Sequence, residues 1–280
     1  MQDNREEKNK RLPRVLLWLG GIALALLFLL GIANLVAPSA VQRLLVGAPS
    51  TPAASPTPAP PKAAIVDQTG FSFPSPEFIA QAQAYLEDAG YEVDLYPPEE
   101  VTVEFFRTLP DRGYRLILFQ SHATSEVLLE GGGDVGQYNP PPGPFLFTTE
   151  LYDEHRYIGM QIDDQLRASK LFYDDSPRLF ALGPKFVRSS MNGLFPDTVI
   201  IIGGCQSLAA PDLAQAFLER GASVVIGWDD MVDLMHNNEA MLRLLRGLTV
   251  EGLSPQEAVE VTRKEVGPDP TYESVLSYLP

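Results

Sequence analysis

The chain has 280 residues, 45% of them hydrophobic and 20% charged, a balance that suits one medium-sized globular core and excludes wholesale disorder. The net charge of −15 is uneven: residues 1–14 hold five basic and three acidic side chains, so the remainder carries −17. A surface of that sign repels polyanions and excludes nucleic acid as a partner, and with one cysteine, Cys205, no intramolecular disulfide can form.

The five basic residues of the tail (Arg5, Lys8, Lys10, Arg11, Arg14) precede an uncharged apolar run from Val15 to Val36. Twenty-two residues of helix exceed a bilayer core of about 30 Å, and Trp18 sits near the start, where an indole favours the interface. The run is too long for the core of a cleavable signal, so a retained signal-anchor is expected. By the positive-inside rule residues 1–14 are a cytoplasmic tail, and everything after the 15–36 transmembrane helix lies outside the cytoplasm, on a single-pass protein of the cell membrane. Residues 37–62 form a linker whose second half, APSTPAASPTPAPPK, is Pro/Ala-rich and reads as an extended, semi-rigid spacer.

From residue 63 to 280 short apolar runs alternate with helical spacing. Ala63–Val66 is a buried-strand run, and 77–89 places Phe78, Ile79, Ala82, Tyr85 and Leu86 on one helix face before Gly90. A strand over 91–96 and a weak helix over 101–109 follow, then a strand over 116–119 that runs into Gln120-Ser121-His122. The next clear strand, 198–202, runs into Gly203-Gly204-Cys205. A helix over 211–220, a strand over 222–226 that runs into Trp228-Asp229-Asp230, and helices over 231–246 and 254–266 complete the pattern. Ser254, Pro255 and Glu257 mark the start of the last helix. Continuous apolar strands between helices predict an α/β fold, a three-layer αβα arrangement around a mostly parallel sheet. Residues at about 123–195 break the rhythm with GGGD, NPPPGP and short strand-like pieces at 145–149, 157–160, 171–173 and 179–186, and read as an insertion over one end of the sheet, a candidate lid.

Ligand sites in open α/β sheets form beyond the carboxyl ends of the strands. On parallel strands His122 and Cys205 emerge at one edge although 83 positions separate them. A thiol there can attack a carbonyl while the imidazole moves protons, and the Cys205 N–H can donate to the developing oxyanion. The bland alternative is a cysteine serving as core, its commonest environment. His155 and His236 lack metal-ligand spacing, the acidic pairs 153–154 and 163–164 read as solvated faces, and GGGD does not join a strand directly to a helix, so no metal and no cofactor is expected.

One apolar strand ending in His and a later one ending in Cys, followed by LAQAFLERGASVVIGWDDMVDLMHNNEAMLRLLRGLTVEGLSPQEAVEVTR, resembles the caspase-like cysteine peptidases, most of all their CHAT and separase branch. The similarity runs loosely over 63–122 and better over 198–265. It implies a caspase-like domain in which Cys205 is the nucleophile, His122 the acid/base, and the N–H groups of Ala123 and Cys205 the oxyanion donors. It also implies substrate contacts at Trp228 and at Asp229 or Asp230, whose carboxylates would favour cleavage after Arg or Lys; the other reading of those two acids is that they cap the 231–246 helix. Where the family carries Gly after the histidine, this chain has Ala123. The partner implied is a protein or peptide substrate. Two alternatives stay open: a catalytically inactive domain of this kind acting as a binding or scaffold module at the cell surface, and an unrelated α/β domain with Cys205 as core.

Overall fold

The chain divides into two units, Met1–Pro58 and Ala59–Pro280, and the computed structural model describes residues 59–124, 143–171 and 175–280 of the second. The tail, the apolar run and nearly all of the spacer lie outside the described residues, as do GGGD and most of the 171–173 piece. Among the described residues no helix is long and apolar enough to cross a membrane.

The apolar runs form the strands they predict: β1 (Lys62–Asp67), β2 (Glu92–Tyr96), β3 (Leu116–Gln120), and the strands here numbered β8 (Thr198–Gly203) and β9 (Ala222–Trp228). With β10 (Leu276–Leu279) they build a sheet in the order β10-β9-β8-β3-β1-β2. All pairs are parallel except β10 against β9. Successive side chains on a strand point to opposite faces, so this sheet has two cores. Ala64, Val66, Ile117, Phe119, Ile200 and Ile202 belong to one, with Phe106 from α2 (Val103–Thr108) and Phe217 from α5 (Asp212–Glu219). Ala63, Ile65, Leu116, Leu118, Ile201 and Ile226 belong to the other, under α1 (Pro76–Asp88), α6 (Leu234–Thr249) and α7 (Pro255–Glu265). The inner strands are apolar along their middles because both of their faces are covered, whereas the edge strand β2, EVDLY, carries Glu92 and Asp94; this is the three-layer arrangement that unbroken runs predict.

Local chemistry accounts for the helix limits. Pro76 opens α1 at a position where a missing N–H costs nothing. The Ser254 hydroxyl accepts from the Glu257 N–H while the Glu257 carboxylate accepts from the Ser254 N–H, a reciprocal cap that starts α7. The helix expected from 231 begins instead at Leu234, because the Asp233 carboxylate accepts from the N–H groups of Met235 and His236. Asp229 and Asp230 therefore do not cap it.

The irregular stretch forms a second sheet, β4-β5-β7-β6, antiparallel throughout, from Ala123–Thr124, Phe145–Leu151, Leu179–Leu182 and Leu166–Ser169 respectively. Two short helices accompany it, α3 (Ile158–Ile162) and α4 (Pro184–Ser189). The piece at 157–160, expected as strand-like, turns helical after Tyr157, whose left-handed φ of 53° closes the turn that precedes the helix. Leu146, Leu166, Phe180 and Leu182 join the same core as α2 and α5, so the described part of this segment is a packed flank of the central sheet. The strand β10 has no counterpart among the expected elements.

Candidate functional site

The site is built where β3 and β8 end side by side, with Gln120 paired to Gly203 in parallel register. Beyond that pair the chains touch backbone to backbone. A Cβ on Gly204 would sit 2.0 Å from the Ser121 carbonyl oxygen, so only glycine allows this approach. It brings His122 and Cys205, one residue further along each chain, to a single cavity of about 270 Å³. Thr69, Phe73, Val232, Asp233, Asn237 and Tyr272 also line it.

The floor is a buried polar network. The Trp228 indole N–H donates to Asn237 Oδ1 at 2.9 Å, the Asn237 amide donates to Gln120 Oε1 at 3.2 Å, and the Gln120 amide donates to Asn238 Oδ1 at 2.7 Å. At the other wall Gln68 accepts the His122 N–H at 2.8 Å and donates to the Thr148 carbonyl at 3.1 Å, tying β1, the end of β3 and β5 together. Every member is paired, so the network holds both strand ends without an orphaned polar group.

The His122 ring lies edge-on to Phe73 and Phe147, with centroids 5.8 and 5.9 Å away, and its Nε2 is 2.9 Å from the Ser72 hydroxyl. Burial among these groups pushes its pKa down to about 4, so the imidazole is neutral at pH 7. The Cys205 thiol faces the Val232 carbonyl, with 3.6 Å between sulfur and oxygen, and burial pushes its pKa up. Both groups are therefore neutral at rest, and no hydrogen bond joins them: each is held by another partner across one cavity. Among the described residues no other residue accepts the Cys205 N–H, which lies toward its own sulfur and can serve an oxyanion forming there. Gln206, next along, adopts a left-handed φ of 55° and donates its N–H to the Asp230 carbonyl at 2.8 Å, turning the chain sharply after the cysteine.

The remaining expected site residues take varied places. Ala123 lies in extended β4, outside the left-handed region, so alanine fits there without strain. Trp228 is fully buried beneath the site and does not line the cavity. Asp229 and Asp230 are exposed and turned elsewhere: Asp229 accepts the Val275 N–H at 2.7 Å, and Asp230 accepts the Met231 N–H at 2.8 Å and the Gln206 amide at 3.3 Å. Asp233 is the acid that reaches the cavity, and it also borders an adjoining groove of about 730 Å³ with Glu77 and Glu239. Sequence reasoning missed it, although an aspartate ahead of a helical run is an N-cap signal. It missed Tyr272 as well, which Asp269 holds in place: that fully enclosed carboxylate accepts the N–H groups of Asp233, Thr271 and Tyr272, each at 2.8 Å. No group of three or more metal-ligating side chains occurs among the described residues. No protein-family model matches the chain, and no curated protein matches it.

Proposed function

We propose that the chain is a membrane-anchored, extracytoplasmic cysteine endopeptidase of caspase-like type, with Cys205 as nucleophile and His122 as acid/base, cleaving after Arg or Lys. The observation that carries this reading is the meeting of His122 and Cys205 at one cavity on the carboxyl edge of adjacent parallel strands. The anchor and its orientation rest on the apolar run at 15–36 and the basic tail before it.

A neutral thiol and a neutral imidazole suit general-base attack. The Cys205 proton passes to His122 as the sulfur bonds to the substrate carbonyl carbon, whose oxygen takes the negative charge beside the Cys205 N–H. Collapse expels the amine, which leaves with the proton from His122, and a thioester remains. Water then gives a proton to His122 and its hydroxyl to the acyl carbon; the thiolate leaves and recovers that proton. The preference for a basic side chain is supported by Asp233 in the cavity wall and by Glu77 and Glu239 in the adjoining groove; among the described residues no lysine or arginine lines either one. Hydrolysis of a fluorogenic arginyl peptide by the full-length chain tests the reading: activity is expected to vanish in Cys205→Ala and His122→Ala, and unchanged cleavage in Cys205→Ala sinks it.

A second reading, a catalytically inactive domain that binds partners at the cell surface, draws on the separate hydrogen bonds of His122 to Ser72 and of Cys205 to Val232. It predicts no turnover, and peptide binding that is indifferent to Cys205→Ala.

A further inference from the structure

This inference rests on the reading of His122 and Cys205 as a working pair. Ser72 lies in the loop between β1 and α1, 50 positions before the histidine. Its hydroxyl oxygen is 2.9 Å from His122 Nε2 and 3.0 Å from the Thr69 carbonyl oxygen. A hydroxyl has one proton to give, and a carbonyl oxygen has none. Were that proton aimed at Nε2, the Ser72 and Thr69 oxygens would face each other lone pair to lone pair at 3.0 Å in a partly buried place. Aimed at Thr69, it leaves the Ser72 oxygen free to accept from a protonated Nε2.

We propose that Ser72 is a positioning residue that fixes His122 as the Nε2–H tautomer and keeps Nδ1 as the bare nitrogen that receives the Cys205 proton. Three observations support it. The Thr69 carbonyl is itself fixed by the turn, accepting the Ser72 N–H at 2.9 Å and the Phe73 N–H at 2.8 Å. Phe73 and Phe147 flank the imidazole and restrict its rotation. No described residue hydrogen-bonds to Nδ1, while the ring lines the cavity that Cys205 also lines. Proton transfer then runs from the sulfur to Nδ1 as the sulfur bonds to the carbonyl carbon, and it leaves an imidazolium; Ser72 keeps its own proton and accepts from Nε2–H before and after.

The test uses the full-length chain carrying ¹⁵N in its histidine rings, with the His122 signals identified by their loss in His122→Ala. At pH 7 the expected spectrum has a protonated Nε2 and a bare Nδ1; a protonated Nδ1 overturns the proposal. Ser72→Ala is expected to give both tautomers and to lower kcat on the arginyl peptide about fivefold at constant KM, the factor that one neutral hydrogen bond is worth. Ser72→Thr, which keeps the hydroxyl, restores both. An alanine variant with the wild-type spectrum and kcat overturns the proposal as well. If the wild-type chain cleaves no peptide the peptidase reading falls, and the ring spectra of wild type and Ser72→Ala still decide the role of Ser72.

Discussion

Lowering the pH from 7 to 4 asks the folded protein to place a charge on His122 in surroundings that disfavour it. The folded pKa of about 4 lies below the ordinary value of 6.5, so as pH falls the unfolded chain takes up this proton first. The stability contributed by keeping His122 neutral is complete above pH 6.5 and drains away as the pH falls toward 4. A gap of about 2.5 pH units at about 1.4 kcal/mol per unit, less the half-protonation of the folded state at pH 4, amounts to about 3 kcal/mol. Urea unfolding of the full-length chain in a Trp18→Phe background would follow the fluorescence of buried Trp228, the other of its two tryptophans. The reference is His122→Gln, in which the carboxylates titrate as before and this proton is absent. Wild type is expected to lose about 3 kcal/mol more than the variant between pH 7 and pH 4. Parallel losses would refute the claim that burial holds this imidazole neutral.

Three further outcomes follow from the same geometry. Gly204→Ala forces a methyl against the Ser121 carbonyl, and about 1–3 kcal/mol of stability should be lost, with peptide cleavage falling further than the remaining folded fraction explains. Asp269→Ala leaves three backbone N–H groups without their acceptor and should cost about 2–4 kcal/mol in urea unfolding; a loss below about 1 kcal/mol would mean that water replaces the carboxylate. Asp233→Asn keeps a good helix cap and removes only the charge, so KM for an arginyl peptide should rise about two- to fivefold, an effect that shrinks with added salt, while thermal stability stays unchanged.

The central sheet was legible because burial on both faces leaves an apolar run at the centre of β1, β3, β8 and β9, a signal that needs no long-range knowledge. The ends of β3 and β8 were legible for the same reason, and with them the meeting of His122 and Cys205. What lay around that pair was not. Asp233 and Tyr272 line the cavity and Ser72 reaches the His122 ring, from three loops that converge only through tertiary packing, and none belongs to a periodic pattern. Asp229 and Asp230 follow β9 directly and looked like the natural acids of the site, yet the left-handed turn at Gln206 and the pairing with Val275 carry their side chains elsewhere. β10 is four residues, LSYL, whose pairing with β9 is decided by the loop that Asp269 organises. In the second sheet β5 was legible as the apolar piece at 145–149, whereas β4 and β6, of two and four residues, carry little signal of their own.

The most direct measurement of the central claim compares two reagents on Cys205 at pH 7: iodoacetamide, which needs a thiolate already formed, and an arginyl peptide acyloxymethyl ketone, which presents a carbonyl to the sulfur as a substrate does. With a raised thiol pKa beside a neutral imidazole, iodoacetamide is expected to react slowly in both wild type and His122→Ala. The ketone should modify Cys205 rapidly in wild type, expelling its carboxylate and leaving a thioether, and slowly in His122→Ala. Equal rates with the ketone in the two proteins would show that His122 and Cys205 share a cavity without working as a pair.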